Sequence, residues 1–303
     1  MKTIRMGTRG SQLALWQATY VEGMLKRQVP DISLERILIK TEGDTDQQSS
    51  LRVIGGQGVF TKAIEKALLD GKIDLAVHSL KDLPSVMDPS LKLGAVPERG
   101  PVEDVLVTAD GRSFADLPMG ARIATGSIRR RSQLLHMRAD LEICDLRGNI
   151  DTRLRKLEEQ DLDAIIMARA ALVRLKLDEV RYYTFGADEM LPAVGQGAVG
   201  IQIRREDAGT EEVAARLSHL ETLWAVTAER AMLRELDSGC QFPVGALGRI
   251  TKHRLLLEGF VGSEDGQTVL REQVEADPGE AEDAGLKLAH RLMDRGALDL
   301  LKR

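Results

Sequence analysis

Apolar residues along this chain fall into two alternating rhythms: short dense runs that suit strands, and longer stretches with helical spacing. Residues 3–6 make a first strand. Thr8-Arg9-Gly10-Ser11 then opens a helix on which Leu13, Leu15, Trp16, Tyr20, Val21, Met24 and Leu25 recur at helical spacing. Residues 32–40 read as a second strand, 61–69 as a helix ended by Gly71, and 73–78 as a buried strand. After a Pro and Gly cluster at 96–101 a second α/β unit begins, with strands at 123–125, 141–146 and 163–168 and helices at 128–137, from 152, and at 170–175.

The glycine-punctuated segment 191–204 combines a crossing with a strand, and it predicts that the chain returns to the first sheet. Two such crossings would make a hinge between two lobes. A helix over 211–236, broken near His219, follows. Three antiparallel strands at 245–250, 254–261 and 269–274 are then covered by a helix at 280–294, with Ala281, Ala284, Leu288 and Leu292 inside. That pattern is a small α+β domain, in which Gly285 is a blemish on the helix. The polar stretch 41–58 has no apolar period and reads as a lid or a disordered loop. Its glycines lack the strand-turn-helix context of a dinucleotide fingerprint.

Composition narrows the function classes. The 303 residues are 43% hydrophobic and 29% charged, as in an ordinary soluble protein, and carry a formal net charge of −5. That balance argues against general nucleic-acid binding while allowing a locally positive cleft. Cys144 and Cys240 are too few for a disulfide framework or a thiolate cluster, and the five histidines show no ligand spacing, so a reducing cytoplasm is expected and no metal. No apolar run precedes Thr8, and no segment has the length of a membrane span.

Candidate chemistry gathers where strands end. Arg9 and Ser11 sit on a turn suited to an anion, or Ser11 is a plain helix cap beside a solvated arginine. Lys81 and Asp82 follow a buried strand, held by Pro84, as a ligand grip or a surface ion pair. Arg129, Arg130 and Arg131 occupy the first turn of a helix whose dipole they oppose, which an anionic ligand would explain better than a merely solvated face. Arg147, Arg153 and Arg174 recur at further exits, whereas Arg155 and Lys156 dress a solvated face. Cys144 is expected inside its strand. Cys240, in Ser238-Gly239-Cys240-Gln241-Phe242-Pro243-Val244-Gly245, is either a tethering nucleophile on a tight turn or a buried filler beneath it.

Six motifs, in this order and spacing, make the chain resemble the porphobilinogen deaminase (hydroxymethylbilane synthase) family over nearly its whole length. They are Thr8-Arg9-Gly10-Ser11-Gln12-Leu13-Ala14-Leu15-Trp16-Gln17, His78-Ser79-Leu80-Lys81-Asp82-Leu83-Pro84, Thr125-Gly126-Ser127-Ile128-Arg129-Arg130, Leu146-Arg147-Gly148-Asn149, Leu191-Pro192-Ala193-Val194-Gly195-Gln196-Gly197 and Gly239-Cys240-Gln241. The resemblance implies an α/β fold of two periplasmic-binding-protein-like (type II) lobes and a third, small α+β domain. The expected limits are 1–98 with 198–216, 99–197, and 217–303. It also implies a dipyrromethane cofactor joined by thioether to Cys240. Four porphobilinogen units would be added in turn, each losing ammonia, before hydrolysis releases hydroxymethylbilane for tetrapyrrole and heme biosynthesis. Each ring carries two carboxylates, so an acidic protein needs a focused cationic cleft.

Carried over by motif, Asp82 would be the catalytic carboxylate, bonded to pyrrole N–H groups and stabilising a cationic azafulvene. Lys81, Ser127, Arg129 and Arg130 would bind cofactor carboxylates, with Ser79 and Thr125 nearby. Arg9, Ser11, Arg147, Arg153, Arg174 and Gln196 would bind substrate or the growing chain. The resemblance favours a cytoplasmic monomer without metal, membrane or nucleic acid. Gly126 stands where a second hydroxyl residue is usual, Ala171 where glycine is frequent, and Gln57 where many bacterial members have lysine. The competing class is a non-catalytic binding protein using the same cleft for a small polyanion; Asp82, Cys240 and the missing export signal weigh against it.

Overall fold

The dense apolar runs form strands and the spaced ones helices. The first part of the chain folds as β1 (Ile4–Thr8), α1 (Gln12–Gln28), β2 (Leu34–Leu38), α2 (Glu42–Thr45), α3 (Lys62–Leu69), β3 (Leu75–Ser79) and β4 (Leu91–Ala95). Next come β5 (Asp104–Val107), β6 (Arg122–Ala124), α4 (Ile128–Met137), β7 (Glu142–Cys144), α5 (Ile150–Glu159), β8 (Ala164–Ala168), α6 (Arg169–Leu175) and β9 (Tyr182–Thr184). The chain ends with β10 (Val199–Arg204), α7 (Ala208–Ala215), α8 (Leu220–Glu235), β11 (Val244–Thr251), β12 (Arg254–Gly262), β13 (Val269–Ala276), α9 (Ala281–Asp294) and α10 (Ala297–Leu301). The computed structural model describes residues 3–45, 58–236 and 242–301. Most of the 41–58 loop, Gln57 included, and the turn bearing Cys240 lie outside them. No helix among the described residues is long and apolar enough to cross a membrane.

Among the described residues two compact units result, one from 3–45 and 58–100 with 197–223, the other from 101–196 with the chain from 224 on. In the first, β2-β1-β3-β10-β4 form one sheet; β1 runs parallel to β2 and β3, and β10 is antiparallel to β3 and β4. In the second, β7-β6-β8-β5-β9 repeat that order: β6 is parallel to β7 and β8, and β5 antiparallel to β8 and β9. This shared topology is the α/β architecture expected of the two lobes. Each sheet is apolar on both faces, as strands linked by crossover helices require. In the first unit Val21, Leu25, Leu75 and Ile201 pack on one side and Ile64, Leu68, Ile73 and Leu91 on the other.

The expected α+β portion has its own antiparallel sheet, β11-β12-β13, with α9 laid across it over Leu257, Val274, Leu288 and Leu292. It is tied to the second lobe within one unit: Ala246 N donates to Pro192 O (3.0 Å), His136 Nδ1 lies 3.1 Å from Gly266 O, and Arg271 donates to Ala187 O (2.6 Å). The break near His219 is found between α7 and α8, where His219 N donates to Val96 O (2.9 Å). Strands β4, β5 and β9, absent from the sequence-based reading, complete the two larger sheets. Cys144 is half-buried rather than inside, its Sγ 3.8 Å from Glu142 Oε1.

Gly285 has a packing reason. A Cβ there would press on the Ala228 carbonyl oxygen and stand 2.6 Å from Ala231 Cβ and 2.9 Å from Met232 N, so glycine lets α9 lie directly against α8. Gly285→Ala should therefore lower stability by about 1–3 kcal/mol through overpacking, although alanine is the better helix former by roughly 1 kcal/mol. A urea midpoint equal to or above wild type would show that the two helices can part without cost.

Candidate active site

In the first unit the ends of β1 and β3 deliver polar side chains to one cavity of about 60 Å³. Arg9, Ser11, Gln17, Phe60, Thr61, His78, Ser79 and Asp82 line it. Ser11 is the N-cap of α1, its Oγ accepting from Ala14 N at 3.3 Å, so the capping reading of this serine is realised at the cavity's edge. The Arg9 guanidinium carbon lies 4.1 Å from the centre of the Phe60 ring, a cation–π contact that orients the charge. Gln17 Nε2 donates to Ser79 Oγ at 2.8 Å and ties α1 to the β3 exit.

That exit is a single 3₁₀ turn, Leu80–Asp82, closed by Leu83 N donating to Leu80 O at 3.1 Å. Leu80 N donates in turn to Ala198 O at 3.0 Å, so the segment entering β10 fixes where the turn begins. Asp82 is half-buried at its end, and among the described residues no hydrogen bond or ion pair engages its carboxylate. Lys81, beside it, is half-buried and partnered.

His78, one position before Ser79, is buried. Its Nε2 lies 3.1 Å from Gln202 Oε1, and Gln202 Nε2 donates to Glu65 Oε1 at 2.9 Å. Because the Gln202 amide nitrogen faces Glu65, its oxygen faces the imidazole, which sets Nε2–H as the donor. Burial pushes His78 down to about 4, opposed by the Gln202 bond and helped by the charge of Arg9. The imidazole is therefore neutral at neutral pH.

The second unit holds the other predicted groups. Ser127 caps α4 by accepting from Arg130 N (3.4 Å), and Ser127 N donates to Thr125 Oγ1 (3.2 Å), which folds the 125–127 turn on itself. Gly126 has a local cause: a Cβ would stand 2.7 Å from the Leu146 carbonyl oxygen. Asn149 caps α5, accepting from Thr152 N at 3.0 Å. On the same connection Arg153 Nε donates to Gly148 O (2.9 Å) and Lys156 Nζ to Arg147 O (3.2 Å). Arg174 is buried in α6.

Arg129 and Arg130 do not face solvent. They are 4% and 5% exposed and share one carboxylate, Asp104. Arg130 Nη2 and Nε donate to Asp104 Oδ1 (2.7 and 3.1 Å) and its Nη1 to Ile166 O (2.9 Å). Arg129 Nη1 donates to Leu191 O and stands 2.7 Å from Asp104 Oδ2, a contact of charge rather than an aligned hydrogen bond. Gln196 Nε2 donates to Asp104 Oδ1 (2.9 Å) and Val102 O (2.7 Å). Burial alone would push the Asp104 carboxyl up; the charges and hydrogen bonds of both arginines outweigh it and hold it far below the carboxylate range. Arg129 Nε is buried without a hydrogen-bond partner among the described residues, the donor a carboxylate ligand would meet, so this turn fits an acidic cofactor.

The cavity thus brings together Arg9, Ser11, Ser79 and Asp82, and adds Gln17, Phe60 and His78, which the sequence reading did not assign. Gln17 left a signal, a polar residue within the buried helical stripe of Ala14, Ala18, Val21 and Leu25. Phe60 left none. Asp104 was hidden because its strand was.

Comparison with known proteins agrees with these motifs. The family profile "Porphobilinogen deaminase, dipyromethane cofactor binding domain" matches residues 4–212, and "Porphobilinogen deaminase, C-terminal domain" matches 223–294. A porphobilinogen deaminase of Syntrophotalea carbinolica is 48% identical over 97% of this chain and 93% of its own. One from Pelotomaculum thermopropionicum is 46% identical over 100% and 97%. A probable amino-acid ABC transporter extracellular-binding protein of Bacillus subtilis aligns at 14% identity over 72% of this chain and 90% of its own, with a TM-score of 0.44, a likeness too loose to argue from.

The neutral state of His78 has a stability consequence. An unfolded histidine titrates near 6.5, so between that pH and about 4 the unfolded chain binds a proton that the folded chain refuses. His78 therefore favours folding above pH 6.5, and this is lost as pH falls toward 4, by about 3 kcal/mol at the limit. Unfolding free energies at pH 7 and pH 4.5 should differ less in His78→Asn than in wild type; equal differences would show an imidazole that protonates in place.

Proposed function

The chain belongs to the porphobilinogen deaminase family, and we propose that it carries out that family's reaction: head-to-tail joining of four porphobilinogen molecules, each with loss of ammonia, on a covalent dipyrromethane primer, followed by hydrolytic release of hydroxymethylbilane. The observation that carries this reading is the placement of Asp82 in one cavity with Arg9, Ser11 and Ser79, a carboxylate beside anion-binding groups. Cys240, in Gly239-Cys240-Gln241, is the attachment point. When bound, the dipyrromethane supplies the pyrrole carbon to which the first substrate is joined.

The protein's own groups divide the remaining work. Asp82 accepts hydrogen bonds from pyrrole N–H, stabilises positive charge that develops on a ring as its amine leaves, and takes up or returns a proton at its carboxylate. Lys81, Ser127, Arg129 and Arg130 hold primer carboxylates, with Ser79 and Thr125 beside them. Arg9, Ser11, Arg147, Arg153, Arg174 and Gln196 bind substrate or the growing chain, the planar guanidinium groups being suited to its carboxylates. The enzyme acts as a cytoplasmic monomer without metal or nucleic acid.

Purified protein should be heavier than its sequence by one dipyrromethane, and Cys240→Ala should return to the sequence mass and make no tetrapyrrole. A wild-type mass equal to the sequence, with no product, would remove this function. Asp82→Asn should fold and keep the added mass while kcat falls at least about 100-fold, the usual scale for a lost acid-base group. Near-normal turnover in that variant would take Asp82 out of the chemistry.

A further inference from the structure

Three side chains assigned to ligands in the reading above converge on one group that has no such assignment. Asp104 opens β5 and is fully buried. Its Oδ1 accepts from Arg130 at two nitrogens and from Gln196 Nε2, and its Oδ2 faces Arg129 Nη1. Arg129 and Arg130 come from the first turn of α4, Gln196 from the segment that precedes β10. We propose that Asp104 is a positioning residue of this site: one buried carboxylate sets the two primer-binding arginines and the substrate-binding glutamine relative to each other.

The inference rests on the functional reading for what these three groups bind, and on geometry for how they are held. Two adjacent guanidinium groups repel each other and oppose the α4 dipole. A single carboxylate between them cancels one charge and leaves one, so the cluster remains attractive to an anion. Leu191 O and Ile166 O accept from the two arginines on their other sides, which fixes each guanidinium plane from both directions. Arg129 Nε is then the buried donor left for a ligand.

The test uses full-length protein with its primer. Asp104→Asn keeps the shape and removes the charge; Asp104→Glu keeps the charge and moves it by one methylene. For Asp104→Glu we expect a folded protein with a thermal midpoint a few degrees below wild type, a clearly lower fraction of molecules carrying the primer mass, and, in the loaded fraction, KM for porphobilinogen raised about tenfold with kcat within about threefold, the pattern of lost uniform binding. Asp104→Asn should show the same binding defects with a larger loading defect, and a lower thermal midpoint because two buried guanidinium groups lose their carboxylate. A folded Asp104→Glu with full loading and wild-type KM would overturn the proposal. Failure of both variants to fold would overturn it too, because the carboxylate would then serve the fold alone. Absence of primer from wild type would instead undo the functional reading, so the two failures are distinct.

Discussion

Parallel strands cannot be joined by a tight turn, and the rest of the molecule follows from that constraint. In the first unit β1 and β3 each lead into a helical turn, and in the second β6, β7 and β8 do so, which brings their carboxyl ends to one edge of each sheet. The polar residues proposed for the chemistry lie in those exits: Arg9 and Ser11 after β1, Lys81 and Asp82 after β3, Ser127 after β6, Arg147 after β7. Ser11, Ser127 and Asn149 cap the helices that follow, so two of the proposed ligand groups, Ser11 and Ser127, also end a strand connection and start a helix. The antiparallel insertions are part of the same arrangement. Entry into β10 gives Leu80 its acceptor and thereby shapes the turn that presents Asp82.

Charge is managed by pairing at depth rather than by exposure. Three arginines in the first turn of α4 oppose the helix dipole, and sequence alone offers a ligand as the remedy. The fold supplies part of that remedy internally through Asp104. Buried ions are costly to desolvate, and such a cluster is tolerable only when nearly every donor and acceptor is used. The excess of one guanidinium charge over the carboxylate, with Arg129 Nε left over, keeps the cluster positive without requiring a solvent-exposed patch. Overall acidity and a cationic interior are therefore compatible.

Much of the fold was legible because hydrophobic period and cap chemistry agree. Residues 128–137 form α4 with the expected ends, and the break near His219 separates α7 from α8. The exits were legible for the same reason, since Thr8-Arg9-Gly10-Ser11 and Gly126-Ser127 are turn and cap residues after apolar runs. Strands β5 and β9 were not. Each is short and takes its identity from antiparallel neighbours far away in sequence, information that no local window contains. Asp104 was hidden with β5, and so was the fact that Arg129 and Arg130 point inward. Cys144 was misjudged because a small thiol on a short strand has no pattern to say how deeply its neighbours cover it.

What separates a working carboxylate from a structural one is the company it keeps, and here the contrast lies within one protein. Asp74 is 1% exposed, and Arg5 and Arg204 bind it at 2.8 and 3.1 Å. Burial would raise its pKa, but hydrogen bonds from both arginines bring it down to about 2. Glu229, also buried, accepts from Gly195 N and Gly248 N, at 2.7 and 2.8 Å, and so holds the 191–197 segment to β11. Each of these acids has its oxygens committed to groups that do not leave. Asp82 sits on a turn whose backbone is pinned at Leu80 and Leu83, so its position is fixed while its carboxylate is not engaged among the described residues. A rigid frame around an uncommitted acid suits the role proposed for Asp82, because such a group could meet successive rings without first breaking a bond to the protein.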